Sequence, residues 1–352
     1  MMAAYFKIIN RTTKSPLIWP PLFLLWLLSV PYRLIVGWRN YRFENRHSVT
    51  RVSVPVISIG NLTTGGTGKT PMVQYIARWL RDCGVRVTLL SRGYKAEHGS
   101  KNDEALELER RLPDVPHLQN PCRVDSAAMA IEEFEAQILL LDDGFQHRFL
   151  ARDLDVVLID ATCPFGYRRL LPAGLLREPL SSLKRAGLVI ITRVDQVTPI
   201  EVQSIRQTVE KYNPEVAIIE FVHHVEGFEN YSGETLDLSS LVGKRVLAFS
   251  GIGNPSAFLK LLEEQGVEVA AHIEFEDHHH FNRNDIETIA ARTHAVAAEA
   301  IICTMKDLVK IQVDRLGSLP LWALSVGMEP LAGQELLVQE LGKIVELVES
   351  DE

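Results

Sequence analysis

Thr64-Gly65-Gly66-Thr67-Gly68-Lys69-Thr70 is a glycine-rich loop that ends in Lys-Thr. An apolar run, 54–59, precedes it, and a helix-patterned run, 72–80, follows. Strand, glycine loop, Lys-Thr and helix together form an arrangement that binds a nucleoside triphosphate. Glycines let backbone N–H groups turn inward around phosphate oxygens, and the helix N-terminus adds partial positive charge. Lys69 is expected at the β- and γ-phosphates, and the Thr70 hydroxyl on Mg²⁺. The full pattern wants glycine at position 63, where this chain has Thr63; the adjacent Gly65-Gly66 supplies the lost flexibility.

Acidic strand ends come next. The run 138–141 ends in Asp142-Asp143, where a P-loop enzyme keeps the acid that holds Mg²⁺. Adjacent side chains on an extended chain point to opposite sides, so the two carboxylates should have different tasks unless the chain bends into Gly144. Asp160 ends another strand. Thr192-Arg193-Val194-Asp195 ends a third and is similar to the element by which GTPases read guanine, with Arg in place of Lys. Ser91-Arg92-Gly93-Tyr94 and Arg123 add cations that suit phosphates. In the turn-rich stretch 171–179, Glu178 fits a Mg²⁺ shell and Arg177 a transferring phosphate; a plain surface salt bridge fits equally well. Asp103-Glu104 reads locally as a solvated helix start. Asp277-His278-His279-His280 suits a His–Asp pairing better than a metal, because neighbouring side chains diverge.

These residues need rigid elements to position them. Strands are expected at 54–59, 85–91, 138–141, 155–159 and 188–192, with helices at 71–82, 127–134 and 200–211. Most of these strands are continuous apolar runs, as in a parallel sheet covered on both faces. The fold class is therefore α/β: a P-loop NTPase-like, mostly parallel sheet with helices on both faces. Its ligands should lie beyond the carboxyl ends of the strands. A second α/β unit is expected from strand 245–250, helix 255–265, strand 267–272, helix 284–298 and strand 300–304. The domain boundaries drawn are 1–45, 46–220, a linker or hairpin at 221–243, and 244–352.

At 352 residues and 46% hydrophobic content the chain can build two cores. A net charge of −8 argues against nucleic acid as the partner. The four cysteines lie far apart and fit a reducing compartment better than disulfides or zinc. The N-terminal stretch 15–32 carries no charge and is flanked by Arg11, Lys14, Arg33, Arg39 and Arg42. Pro16, Pro20, Pro21 and Pro31 are expected to shorten its helical part. An interfacial helix with Trp19, Trp26 and Trp38 at the headgroups fits, as a membrane-contacting segment. A nucleotide loop needs cytosolic ATP or GTP, which argues against a cleaved signal peptide.

Several strings now combine. Gly60-Asn61 with the loop through Pro71, Leu90-Ser91-Arg92-Gly93-Tyr94, Asp142-Asp143-Gly144-Phe145-Gln146-His147, Leu175-Leu176-Arg177-Glu178-Pro179 and Asp277-His278-His279 resemble the tetraacyldisaccharide 4′-kinases of lipid A biosynthesis. The resemblance runs in order from about residue 15 to about residue 310. It implies ATP- and Mg²⁺-dependent phosphorylation of the 4′-hydroxyl of a tetraacylated glucosamine disaccharide 1-phosphate to give lipid IVA. It places the enzyme at the cytoplasmic face of the inner membrane, peripheral or monotopic, with no protein partner evident. It makes Lys69 and Thr70 the phosphate and Mg²⁺ ligands, and Asp142, Asp143 and Glu178 the metal-side acids. Arg123 and Arg177 become phosphate-site arginines, Asp103 the catalytic base, and His278, favoured over the alternative His279, its partner, brought in by closure of the second domain. Departures are Asn102 and Ala105 beside the base, and Met305 in Thr304-Met305-Lys306-Asp307, where the family has Glu. The competing expectation is a P-loop GTPase or metallochaperone.

Overall fold

The computed structural model describes residues 5, 9, 19–45, 49–93 and 103–349. Arg11, Lys14, Pro16, Tyr94 and Asn102 lie outside the described residues. The chain divides into two units: 1–92, 115–222 and 329–352 form the first, and 93–114 and 223–328 the second. The boundaries drawn from sequence assigned 93–114 to the first domain and 329–352 to the second.

In the first unit the strands are β1 (Val56–Asn61), β2 (Val87–Ser91), β3 (His117–Gln119), β4 (Ile138–Asp142), β5 (Leu154–Asp160), β6 (Leu188–Thr192) and the first half of β7 (Ala217–Glu229). Their order is β7-β6-β5-β1-β4-β2-β3, and every pair is parallel. The five apolar runs read from sequence are β1, β2, β4, β5 and β6, while β3 and the long β7, which enters the expected linker, were not read as strands of this sheet; β1, β2, β4 and β6 are buried along their whole length. Helices Lys69–Asp82, Arg123–Phe134 and Pro199–Tyr212 connect them. The last carries a complete capping box from Thr198 and Glu201, with Pro199 at its first position, where no N–H is needed.

Glycines set the approach of β1 to the Asp-Asp turn. A Cβ on Gly60 would stand 2.6 Å from the Phe145 Cβ, and one on Gly144 would stand 2.6 Å from Ser58 Oγ. Phe145 is fully buried. The strings Gly60-Asn61 and Asp142-Asp143-Gly144-Phe145 are thus two halves of one close backbone contact.

Helix Trp19–Asn45 belongs to the first unit and runs unbroken through Pro31. The expectation that prolines shorten it fails for a local reason. Pro20 and Pro21 sit in the first turn, where the missing N–H groups have no helical acceptor, and Pro31 lies inside the helix without ending it. The helix docks through Leu22 and Val36, through Tyr32 donating to the Arg177 carbonyl (2.9 Å), and through Phe43 edge-on to Phe149 (4.9 Å between centroids). Trp19, Phe23, Leu24, Trp26, Leu27, Leu34, Ile35 and Trp38 remain exposed.

The second unit holds the rest of β7, β8 (Thr235–Leu236), β9 (Arg245–Ser250), β10 (Glu268–Glu274), β11 (Ala300–Thr304), β12 (Arg315–Leu316) and most of β13 (Leu319–Ala332). Strands β10-β9-β11-β13 are parallel neighbours. β8 folds back antiparallel on β7, the hairpin expected within 221–243. Helix Asp103–Arg111 packs on helix Met305–Ile311 in this unit. Its Ala105 and Leu108 are buried, and Leu106 packs on the cluster of Leu247, Ile301, Met305 and Leu308.

Candidate active site

The nucleotide loop is shaped by two left-handed glycines, Gly65 (φ +120°) and Gly68 (φ +88°), the second being the N-cap of helix Lys69–Asp82. Thr63 does not need that freedom. It sits in an antiparallel bridge with Leu176, and Thr64 N–H donates to the Leu175 carbonyl (2.8 Å). This explains the departure at position 63. The loop is braced from inside. Asn61 Nδ2 donates to Thr67 Oγ1 (2.9 Å), and Thr192 Oγ1 donates to the Thr67 carbonyl (3.1 Å). Arg193 donates to the Gly66 carbonyl (3.0 Å) and pairs with Asp160. The Thr192-Arg193 string therefore holds the loop, and its guanidinium is engaged there instead of reading a base.

Asp142 ends β4, beside Ile59 of the loop's own strand, and is buried. Asp143 turns away with φ +51°. The chain therefore bends at Asp143, the exception the sequence allowed for. Arg177 Nη1 donates to Asp143 at 3.0 and 2.8 Å, and Lys69 Nζ stands 3.6 Å from the same group. Burial pushes the Asp143 carboxyl up. The charges of Lys69 and Arg177, the Arg177 hydrogen bond and the charge of Arg123 outweigh it and hold the pKa below the ordinary value. Arg123, the first residue of its helix, is only 4% exposed, and no described residue accepts from its Nε. Burial pushes its guanidinium pKa down, opposed by Asp143 and helped by Arg92. A buried guanidinium whose Nε has no described acceptor suits an anion such as a phosphate.

Glu178 has other partners than those expected of a metal-side acid. It is fully buried, with Oε1 on Arg39 (2.8 Å) and Oε2 on Arg185 (2.9 Å) and Ser182 (2.8 Å). Both oxygens are taken by a network that reaches helix Trp19–Asn45. Among the described residues no group of three or more His, Cys, Asp or Glu converges as a metal site. Thr70 and Asp142 remain as hard oxygen donors on adjacent elements, a chemistry that suits Mg²⁺.

The second unit holds a separate constellation. Asp103, buried at the start of helix Asp103–Arg111, pairs through Oδ2 with His278 Nδ1 at 3.1 Å, and Lys310 Nζ stands 3.4 Å from the same oxygen as an ion pair. His278 has φ +64°, and its N–H donates to the Gly251 carbonyl (3.2 Å). His279 is committed elsewhere: its ring stacks on Phe275 (4.7 Å between centroids) and bonds Asp285 (2.9 Å), inside the capping box of helix Arg283–Ala295. Sequence reading found the Asp-His string but missed Lys310. The available signal was its i,i+3 spacing from Asp307.

A sequence model of the family described as "Tetraacyldisaccharide-1-P 4'-kinase" matches residues 21–346. A tetraacyldisaccharide 4′-kinase of Anaeromyxobacter sp. (strain Fw109-5) is 38% identical, over 83% of this chain and 82% of that relative. One from Halothermothrix orenii is 35% identical, over 83% and 84%. A crystal structure described as the "apo" form of LpxK from Aquifex aeolicus in complex with ATP is 30% identical with a TM-score of 0.75, covering 92% of this chain and 99% of that one.

Proposed function

The chain belongs to the tetraacyldisaccharide-1-P 4′-kinase family, and on that premise we propose that it moves the γ-phosphate of ATP to the 4′-hydroxyl of a tetraacylated glucosamine disaccharide 1-phosphate. The observation that carries the reading is the pairing of His278 Nδ1 with Asp103 Oδ2 at 3.1 Å. A carboxylate oriented by an imidazole is a general base for a hydroxyl proton. Asp103 takes the 4′-hydroxyl proton as that oxygen attacks the γ-phosphorus, and the bond from the γ-phosphorus to the β,γ-bridging oxygen breaks, leaving ADP. Lys69 and the N–H groups from Thr64 to Thr70 hold the phosphates. Arg123 and Arg177 offset charge on the transferring group. Thr70 and Asp142 would hold Mg²⁺, which would supply positive charge to offset that of the phosphates. Asp143 keeps Lys69 and Arg177 in place.

The acyl chains of such a substrate stay in a bilayer. The exposed apolar side of helix Trp19–Asn45, with Arg33, Arg39 and Arg42 in its second half, supports attachment to the membrane that holds them. The need for ATP supports placement at the cytoplasmic face.

The test is transfer of label from γ-labelled ATP to tetraacyldisaccharide 1-phosphate in detergent micelles, with Asp103→Ala alongside. Wild type should label the lipid, and the variant should lose roughly 10²–10⁴-fold in kcat with ATP affinity within about twofold. Equal rates would remove Asp103 as base. An unlabelled lipid from folded, ATP-binding wild type would overturn the kinase reading.

A further inference from the structure

A second buried ion pair frames the Asp103–His278 pair, and the mechanism above leaves it unused. Lys310 lies on helix Met305–Ile311 with its side chain only 7% exposed. Its ammonium stands 3.4 Å from Asp103 Oδ2, 3.1 Å from Asp307 Oδ1 and 5.3 Å above the Phe281 ring. Asp307 is fully buried. Its Oδ2 accepts from Thr304 Oγ1 (2.6 Å) and from Gly251 N–H (3.0 Å). Gly251 in turn accepts, through its carbonyl, the N–H of His278 (3.2 Å). A Cβ on Gly251 would come within 3.0 Å of Asp307 Oδ1 and 3.4 Å of the His279 Cβ, so the backbone is held tightly against the acid.

Two chains of contact therefore leave one buried pair and end on the two members of the other. Lys310 reaches the Asp103 carboxylate directly. Asp307 reaches the His278 backbone through Gly251, at a residue whose left-handed φ a non-glycine adopts only when its surroundings impose it. A helix cap accounts for Thr304 with Asp307, and a one-turn ion pair accounts for Asp307 with Lys310. Neither accounts for the reach to Asp103 on another helix or to Gly251 after β9. Burying an ammonium between two carboxylates carries a desolvation cost that only good geometry offsets.

We infer that Lys310 and Asp307 are positioning residues for the proposed base. Lys310 fixes the Asp103 carboxylate through Oδ2, which leaves Oδ1 for the substrate hydroxyl, and Asp307 fixes the imidazole that meets the same carboxylate. This rests on the kinase reading for its consequence in turnover, and on geometry alone for its consequence in His278.

The experiment is a double-mutant cycle on the full chain, Lys310→Met with Asp103→Ala, read by lipid phosphorylation, ATP dissociation constant and the NMR signals of the His278 ring. Lys310→Met alone should lower kcat by about 10–100-fold while ATP affinity and the KM for ATP stay within about twofold. In the Asp103→Ala background it should change the residual rate by less than about twofold. The His278 ring signals should move and those of His279 should not. Lys310→Arg keeps a cation in the pocket and should fall between wild type and Met. If Lys310→Met does not fold, Lys310→Arg takes its place in the cycle. Wild-type kcat, or the same fold-loss in both backgrounds, would overturn the inference while leaving the kinase reading standing. Should wild type itself make no labelled lipid, that reading fails, and an unmoved His278 in the Lys310 variant would then overturn the positioning separately.

Discussion

Lys69 stands 3.6 Å from Asp143, and Asp143 is already bound by Arg177 at 2.8 Å. In the proposed reaction the lysine exchanges part of its carboxylate partner for phosphate oxygens. Lys69→Ala should therefore weaken ATP binding and slow turnover together, both by about tenfold or more; a nucleotide titration and initial rates measure the two. His147 follows the Asp-Asp turn and behaves differently. Burial, then the charges of Arg123, Arg152 and Arg92, push its pKa from 6.5 down to about 4. The unfolded chain takes up a proton between those values that the native state refuses. The contribution of His147 to stability is thus fully present above pH 6.5 and is lost as pH falls toward 4. The Tm of wild type should drop across that window more steeply than that of His147→Gln, as thermal melts at half-unit steps would record.

Helix Trp19–Asn45 is tied to the rest of the nucleotide-binding unit by a buried carboxylate. Glu178 binds Arg39 of the helix and Arg185 of the unit's core with both oxygens, and its neighbour Arg177 carries the Asp143 contact. Glu178→Ala leaves Arg185 buried without its partner. Discounted for the partial exposure of Arg39, the loss should be on the order of 3 kcal/mol, seen as a lower denaturation midpoint at unchanged m-value. The Mg²⁺ concentration giving half-maximal rate should stay the same, whereas a metal ligand at this position would raise it. The loop shows the same division of labour between elements. Thr192, at the end of the strand two places from β1, and Arg193, the next residue, hold the Thr67 and Gly66 carbonyls, so the phosphate cradle is anchored to the sheet.

For the molecule as a whole, the exposed side of helix Trp19–Asn45 bears on membrane attachment. Leu27 is 50% and Ile35 63% exposed, with no described contact to cover them. The Leu27→Glu/Ile35→Glu variant should reduce binding to anionic vesicles by about tenfold or more in a flotation assay, with ATP affinity unchanged. The sequence alone determined the parallel strands, because continuous apolar runs bounded by turn residues can satisfy backbone and side chains only inside a covered sheet. It also determined the nucleotide loop, whose glycines and Lys-Thr are a local requirement, and the Asp-Asp strand end. Short elements whose pairing is non-local, such as β3 and helix Met305–Ile311, carry no period long enough to read. Three matters belonged to tertiary structure alone. Glu178 was taken by Arg39, far away in sequence, and by Arg185, seven residues on, since a buried carboxylate goes to whatever cation the fold brings near. Of two adjacent histidines, His278 met Asp103, because its positive φ and the stacking of His279 turn the rings apart. Asp103, read locally as a solvated helix start, was buried against Lys310, because Ala105 and Leu108 on its helix pack away from solvent. Local pattern fixes which elements form; which charged side chains meet is set by distances that exist only once the chain is folded.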